Sequence, residues 1–549
     1  MEVVIQYTVT TSNKSSQMKR QLLAIVFLIP FFTTIFAQTI QLEWQNCFNG
    51  PKTDDAYGIC STGDGYLITG SYEHPTNIPP GYGQSDVWLI KTDLYGNYLW
   101  DKKLGGSKGD GGLSVFPSGD GNFFIVGGSV SDDGDISNDP YPNSSDYWII
   151  KVDSDGNILW DKIVGGNCGE SPWAGTPTSG GGLVAVGQTC SDDGDVSQNF
   201  GFYDVWAVKL NTTGQKQWDF SLGSLGHEGG IAVIETSDHG FLIGGTSMSE
   251  GEGNYSCVPH SSGSEALVTR LDSNGVKLWD KCYGGSDYEY AFDVLEIENG
   301  YMIAGISRSN DGDCLGSGWH GEEDIWLFKL DFDGNIMWQK CYGGSGLDIP
   351  QKMFRTGDGG FVVIGYTNSH NGDIVGNHSN GNFRDIWIFK IDAGGTLLWQ
   401  NCIGGSDDEY MQSTALQMSD VNYVIAANIY PQIDGDVACP PPLDFNWGIW
   451  FFSVTDTTTV GLEHHNMQAN SVVVYPNPAD SYIIFENNGA QNANHYQIQI
   501  TNIFGQVINT LAMNNSRTVL DTKDFASGIY FYRITKESEI LQSGRWVKR

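Results

Sequence analysis

Basic residues are scarce. The 549 residues carry 29 Lys and Arg against 65 Asp and Glu, a formal net charge of -36. That deficit excludes nucleic acid as a partner, because phosphate binding needs clustered Lys and Arg. It also disfavours adsorption to anionic lipid, and acidity of this kind keeps an exported protein soluble. Cysteine pairs at metal or haem spacing are missing too. There are ten Cys, but no CxxC and no CxxCH, so zinc-ribbon and c-type haem readings fail. The ten His are scattered, with no pair in a zinc-ligand arrangement, and His464-His465 falls in a polar stretch. No sustained 3.6-residue apolar period occurs, which argues against a helical fold. Beyond residue 38 no apolar run is long enough to span a membrane, so the mature chain is expected to have no transmembrane segment.

What is present begins with an export signal. Lys19 and Arg20 precede "QLLAIVFLIPFFTTIFAQ", a run interrupted by Pro30 and followed at once by polar chain. Cleavage is expected after Ala37, with Met18 as the start of the signal and residues 1–37 removed as extension plus signal peptide. No Cys follows closely enough to suggest a lipid anchor. Ten Cys downstream of the signal fit an oxidising compartment. Glycine is abundant: 71 residues, against about 38 at average usage. Without a collagen period, that abundance means many tight turns.

The chain repeats itself. Trp44, Trp100, Trp160, Trp218, Trp279, Trp338 and Trp399 hold one position in a unit, at spacings of 56, 60, 58, 61, 59 and 61 residues. Trp88, Trp148, Trp206, Trp326, Trp387 and Trp450 hold a second, with Leu267 in the fourth copy. Seven copies at a period of about sixty indicate a propeller, solenoid or array. Each unit reads as four strands, a to d, exemplified by "AFDVLEI", "GYMIAGIS", "DIWLFKLD" and "NIMWQKCYG". Turns such as "DSDGN" at Asp153 suit short hairpins in which Gly takes positive φ. Strands b and c are apolar on nearly every residue, as in sheets buried on both faces. The expectation is an all-β chain: a seven-bladed β-propeller over 38–455, a linker at 456–470 and a small β-sandwich at 471–549. The repeat begins with a strand d, "TIQLEWQNCFNG", and ends with a strand c, "NWGIWFFSVTD". The N-terminal strand should therefore complete the last blade and cover its edge.

One loop stands out. "SDDGD" occurs at Ser131 and Ser191, and "SNDGD" at Ser309. These segments join strands b and c. The d–a connections are the glycine loops "GGSKGD" at Gly105, "GGSDYE" at Gly284, "GGSGLD" at Gly343 and "GGSDDE" at Gly404. Propeller topology puts both sets on one face. Calcium wants several oxygens at short range, and Asp133, Asp135, Asp193, Asp195, Asp311 and Asp313 are its candidate ligands. Asp-Gly-Asp is also a good solvated turn by itself, and the spacing does not fit an EF-hand.

The C-terminal segment carries Tyr475-Pro476-Asn477-Pro478, the turn Phe504-Gly505-Gln506, the segment Gly528-Ile529-Tyr530 and the basic end Lys548-Arg549. Their order resembles the type A C-terminal sorting domain of the Bacteroidetes type IX secretion system, over residues 471–549. Ile503-Phe504 departs from the acidic residue usual before the central Gly. The resemblance implies export across the outer membrane by type IX machinery, often with removal of the domain and attachment to the surface. The repeats resemble propeller repeats of such exported proteins.

Catalytic motifs are thin. Gly105-Gly106-Ser107-Lys108-Gly109 fits GxSxG, but a nucleophile elbow needs a strand-to-helix turn with His and acid partners, and this is one of the glycine loops. "DSDGNILW" at Asp153 is similar to the tryptophan-docking repeat of quinoprotein dehydrogenases, yet is one residue short and lacks that family's paired cysteines. Asp86, Asp146, Asp204, Asp324 and Asp385 each precede a strand-c Trp by two and read as strand-entry hydrogen-bonding groups. No blade carries a unique nucleophile, His and acid set. The expected function is therefore a secreted or cell-surface binding or adhesion module for glycan or protein, without a catalytic site. Trp173 and Trp319 near loop mouths are candidates for stacking on sugars. The alternative is an exported polysaccharide- or peptide-degrading enzyme with its site in the propeller channel.

Register also pairs the cysteines. Cys257 lies in the b–c connection of blade four and Cys282 on its strand d; Cys314 and Cys341 repeat this in blade five. In blade seven the loop cysteine is Cys439, and the equivalent strand-d position is Cys47 at the N-terminus. Three homologous bridges are expected: Cys257–Cys282, Cys314–Cys341 and Cys47–Cys439, with Cys168–Cys190 a further candidate. Cys402 holds the strand-d position of blade six without a loop partner.

Overall fold

The structure is a computed structural model. It describes residues 40–50, 52–74, 83–248, 253–257, 260, 263–379, 383–412, 414–430, 432–440, 447–457, 472–475, 482–487, 496–502, 507–513, 517–523, 525–526, 528–536 and 539–548. The signal peptide and most of the linker expected from sequence lie outside the described residues.

Seven antiparallel sheets follow one another along the chain. Blade one comprises Asp54–Ser61, Gly65–Glu73, Ser85–Asp93 and Tyr98–Leu104, hydrogen-bonded in that order. Blades two to six repeat the order over 110–164, 170–222, 228–283, 289–342 and 348–403. Blade seven is built from both ends of the repeat. Ile40–Phe48 pairs antiparallel with Gly448–Asp456, from Ile40 opposite Asp456 to Phe48 opposite Ile449. The N-terminal strand thus supplies strand d of the closing blade. Strand a of this blade is broken into Glu409–Tyr410 and Ala415–Ser419, both paired with Asn422–Ile429.

The sequence pattern explains the layers. Strand c of blade two, "DYWIIKV", is buried at every position, as a strand between two neighbouring blades must be. Each of the seven junctions holds its own apolar cluster. Phe116, Phe124 and Val126 of blade two meet Leu183, Trp206 and Val208 of blade three, for example. Ala56, Ile59 and Ile68 of blade one meet Val424, Ala426 and Phe451 of blade seven, which closes the ring.

The two tryptophan series have separate jobs. Strand-c indoles are buried and donate Nε1–H to the residue that follows the strand-d Trp: Trp148 to Asp161 at 3.1 Å, Trp326 to Gln339 at 2.6 Å and Trp450 to Gln45 at 2.9 Å. Strand-d tryptophans wedge beneath the c–d turn of the next blade. Gly156 shows why that turn needs glycine. Its φ is 75°, and a Cβ there would lie 2.7 Å from the Trp100 ring of the preceding blade. Asp153 fixes the same turn: its Oδ1 accepts the N–H groups of Asp155 and Asn157 at 2.9 and 2.8 Å.

The a–b hairpin is tied by charge. Lys151 on strand c reaches Asp120 in the a–b turn at 2.7 Å, and Lys91–Asp64 and Lys390–Asp358 repeat the contact at 2.8 and 2.7 Å. The Lys390 ammonium lowers the Asp358 carboxyl to about 2.

The C-terminal segment forms a three-stranded sheet, 472–475 with 482–487 and 517–521, and a four-stranded sheet of 507–513, 496–502, 528–536 and 539–548. Ile483, Phe485, Ile498, Ile534 and Trp546 share its core.

Candidate functional site

The acidic b–c loops and the glycine d–a loops meet, blade after blade. In blade two, Asp133 Oδ1 accepts the N–H of Ser107 at 2.7 Å, and Asp135 Oδ2 accepts that of Gly105 at 3.1 Å. The Asp135 N–H returns a bond to the Gly105 carbonyl at 3.0 Å. In blade three, Asp193 accepts from the Asn167 N–H at 2.9 Å, and Asp195 donates its N–H to Gly165 O at 2.7 Å. In blade five, Asp311 accepts from Ser286 N–H at 2.8 Å and Asp313 Oδ2 from Gly284 N–H at 3.3 Å. Backbone and hydroxyl donors hold the Asp133 carboxyl below the ordinary range, and the Asn167 amide does the same to Asp193.

The six candidate calcium ligands are spread over three blades, and the loop-to-loop bonds engage the carboxylates of Asp133, Asp135, Asp193, Asp311 and Asp313 and the backbone N–H of Asp195. Among the described residues, no three carboxylate, imidazole or thiol groups converge to hold a metal ion. The loops are staples between consecutive blades. Ser107, the serine of the GxSxG match, sits in one of these staples between two strands, without the helix an elbow requires.

Beneath the staples lie buried acids at the entry of strands a and c. Burial raises Asp54, Asp204 and Asp348 to about 7, Asp324 to about 6 and Glu409 to about 9. Three histidines that look scattered in sequence arrive at one structural position. His74, His320 and His378 lie 2.8, 2.8 and 2.7 Å from Asp86, Asp324 and Asp385.

The frame is nearly the same at every junction, but one pair of positions on it varies. The residue before the strand-c acid and the residue before the next strand-a acid lie side by side. The strand-a acid N–H bonds to the carbonyl of the former: Glu170 to Ser145 at 2.6 Å, Glu228 to Tyr203 at 2.7 Å, Glu409 to Arg384 at 2.7 Å. Around the ring these pairs are Ser85–Gly109, Ser145–Gly169, Tyr203–His227, Ser264–Tyr288, Glu323–Leu347, Arg384–Asp408 and Trp447–Thr53. One arc is therefore small and bare, and the other carries rings and charges.

The richest part spans blades six, seven and one. Arg384 Nε donates to Asp408 Oδ1 at 2.8 Å, with a second, shorter contact from Nη2 to Oδ2. Its guanidinium lies 4.4 Å from the Tyr410 ring centre and 5.2 Å from that of Tyr366. The hydroxyls of Tyr410 and Tyr57 both donate to Asp55, at 3.1 and 3.2 Å. Trp447 stands edge-on to Tyr410 at 5.3 Å. Burial raises the Asp55 carboxyl and the Tyr366 and Tyr410 phenols. Sequence reading missed this cluster, because its members come from five separate stretches. The signal available was the departure of Arg384 and Asp408 from their counterparts in other copies. The two tryptophans singled out from sequence lie elsewhere. Trp173 is 38% exposed over Gly229 of the next blade. Trp319 is half-buried against the blade-five core and donates to Glu322 O at 3.1 Å.

Three disulfides are formed: Cys47–Cys439, Cys168–Cys190 and Cys257–Cys282. The expected Cys314–Cys341 bridge is not. Cys314 turns inward on the short 3-10 turn Gly312–Cys314, where it accepts from Ser307 Oγ at 3.2 Å. Cys341 donates instead to Ser317 Oγ at 3.2 Å. Each sulfur has its own partner in the blade-five core, and burial pushes the Cys341 thiol up to about 12. Cys60 and Cys402 are also buried thiols.

In the C-terminal segment, Gly528 opens the strand Gly528–Lys536, and Tyr475 ends the strand Val472–Tyr475. Tyr530 is buried, stacks on Trp546 at 5.1 Å and donates to Ala526 O at 2.9 Å. Pro476, Asn477, Pro478 and Gly505 lie outside the described residues.

Ring and tail together define an exported all-β propeller protein. Residues 473–548 match the family of secretion system C-terminal sorting domains. The tail is a type IX sorting domain, which implies engagement with that machinery and places the protein in the secreted fraction or on the outer-membrane surface of Bacteroidetes. No curated protein matches the sequence. Among solved structures, Kuenenia stuttgartiensis hydrazine synthase is similar at 13% identity and TM-score 0.35, over 57% of this chain and 75% of that one. The Neurospora crassa Pan2 WD40 domain is similar at 9% identity and TM-score 0.34, over 64% and 90%. The aldose sugar dehydrogenase of Streptomyces coelicolor follows at 9% and 0.30, over 64% and 97%. These scores carry no argument about function. Among the described residues no helix is long and apolar enough to cross a membrane.

Proposed function

We propose that this type IX cargo is a non-catalytic binding module that takes a glycan on the loop-bearing side, at the arc formed by blades six, seven and one. What supports the reading is the contrast within the ring. The staples repeat from blade to blade, whereas Arg384, Asp408, Tyr410 and Trp447 occupy positions that are Ser and Gly on the opposite arc. Half-buried tyrosine and tryptophan faces beside Asp55 and Asp408 combine apolar platforms with hydrogen-bond acceptors, which suits sugar rings with their apolar faces and hydroxyl edges. Such a site needs no nucleophile, and the cluster has the arginine and aromatic character of binding hot spots.

Glycan-array binding of the full chain tests this. Binding of a defined glycan set, weakened at least tenfold by Tyr410→Ala and unchanged by Ser145→Ala on the bare arc, is the expected result. Equal binding by the Tyr410 variant overturns the assignment of the arc. Binding of a protein ligand with no glycan bound overturns the ligand class. Hydrolysis of an arrayed glycan would favour an exported degradative enzyme instead.

A further inference from the structure

Below the staples, blade junctions bring two carboxyl groups together with too few donors to serve both. The junction of blades two and three is the clearest. Asp146 at the start of strand c is 1% exposed, and Glu170 at the start of the next strand a is fully buried. Asp146 Oδ2 accepts from Ser144 Oγ at 2.7 Å. Glu170 Oε2 accepts the Gly166 N–H at 2.8 Å, and Oε1 accepts from Thr189 Oγ1 at 2.7 Å. Asp146 Oδ1 has no donor at all. It faces Glu170 across Gly165. A Cβ placed on that glycine would lie 2.0 Å from Asp146 Oδ1 and 2.5 Å from Glu170 Oε2.

The same orphaned oxygen recurs: Asp86, Asp204, Asp324 and Asp385 each bury an Oδ1 with no partner. At the next junction a Cβ on Gly223 would lie 2.0 Å from Asp204 Oδ1, and Glu228, whose charge acts on Asp204, has its oxygens taken by the N–H and hydroxyl of Ser224 and the hydroxyl of Ser247. Five repetitions of one unsatisfied atom, aimed into the space a glycine leaves open, make a built feature. Two buried carboxylates at close range cannot both stay ionised. One proton on Asp146 Oδ1, donated to Glu170 Oε2, satisfies the orphaned oxygen and removes the repulsion in a single step.

We propose that Asp146 and Glu170 share one proton at neutral pH, that Asp204 and Glu228 do the same one junction on, and that these shared protons hold consecutive blades together more firmly in acid than in alkali. Burial first, and then the Glu170 carboxyl, raises Asp146 to about 8; burial raises Asp204 to about 7. The surroundings favour the proton. Asp139 faces Asp146, the Tyr147 phenol faces Glu170, and Tyr141 beside Asp146 donates to Asp195 at 3.3 Å. None of these is a cation. At the next junction His227, its ring tilted against Tyr203 at 5.0 Å, is pushed toward its neutral form by burial. Blades one, five and six differ: there a histidine nitrogen lies against the other oxygen, Oδ2, of the strand-c acid.

The sign follows from linkage. A carboxyl raised in the folded state contributes stability that is fully present below its unfolded value, near 4. That contribution is lost as pH rises through the folded value of about 8. The pair therefore strengthens the ring in mild acid and weakens it toward pH 8.

The test compares the full-length protein with Asp146→Asn by denaturant unfolding at about pH 5 and about pH 8.5. The asparagine amide donates to Glu170 at every pH and mimics the shared proton. The unfolding constant of the wild type should rise between the two pH values relative to that of the variant by at least tenfold, one unit of displacement. Equal destabilisation of the variant at both pH values overturns the proposal, since it marks an ordinary ionised acceptor. Loss of wild-type stability on chelation, absent in the variant, also overturns it, because a metal cation then occupies the cradle. If the variant does not fold, infrared spectroscopy of the native wild type decides. A protonated-carboxyl carbonyl band at neutral pH that is weaker in Glu170→Gln than in the wild type supports the pair; an equal band in the two, or none in the wild type, refutes it.

Discussion

Breaking the covalent latch should cost the ring more than breaking either of its other disulfides. Cys47 lies on the N-terminal strand and Cys439 in the last b–c loop, 392 residues apart in sequence. A cross-link restricts the unfolded chain by an amount that grows with the logarithm of the loop it closes. The chain-entropy relation gives about 6 kcal/mol for a loop of this size and about 3.5 kcal/mol for the 25-residue loop of Cys257–Cys282. Native contacts change little in either case, because Ile40–Phe48 stays paired with Gly448–Asp456 along its whole length. Cys47→Ser with Cys439→Ser should therefore lose about 2.5 kcal/mol more than Cys257→Ser with Cys282→Ser. The assay is urea unfolding followed by tryptophan fluorescence, with hydrogen exchange read along the two paired strands. Equal losses in the two double variants would refute the loop-length reasoning and leave the latch as local packing.

Asp133→Ala should destabilise the protein by about 1–2 kcal/mol through the unpaired Ser107 N–H, whereas added calcium or chelator should leave the melting temperature of the wild type unchanged; a calcium-dependent shift of several degrees would contradict the staple role. Trp148→Phe keeps a ring in the core but leaves Asp161 without the indole donor, for an expected loss of about 1–3 kcal/mol by calorimetry, and a neutral result would mean that water satisfies Asp161 freely. Deleting residues 473–548 should retain the propeller in the periplasm, detected by cell fractionation, and normal amounts in the medium would contradict the role of the tail.

The architecture was legible because it is periodic. Two tryptophans per unit mark strands c and d, and Asp with a late Gly marks the hairpin between them. Even the closing strand could be read, since "LEWQNC" at the start matches "LWDKCY" in mid-chain. The staples were half legible. Both loops stand out, but a sequence does not show that Asp133 spends an oxygen on the Ser107 N–H of the neighbouring loop. The histidine position was hidden for a simple reason. His74, His320 and His378 precede their acids by 12, 4 and 7 residues, so no fixed spacing betrays a shared place. Cys314 and Cys341 obey the spacing of a bridge, yet the turn at Gly312 aims Cys314 at Ser307. Spacing reports proximity along the strands, while side-chain direction depends on loop conformation.

Closure by Ile40–Phe48 imposes an order in time. This strand is the first part of the ring to be synthesised, and its partner Gly448–Asp456 is the last. Six blades can assemble from consecutive hairpins as the chain emerges. The seventh has to wait, with the opening segment unpaired and its Cys47 exposed to oxidants, until nearly the whole ring has followed. A propeller latched in this way cannot be finished halfway. A truncated or stalled chain displays an open edge and a free thiol, both readable by quality control, and a sealed ring certifies that the ring segment has been delivered in full.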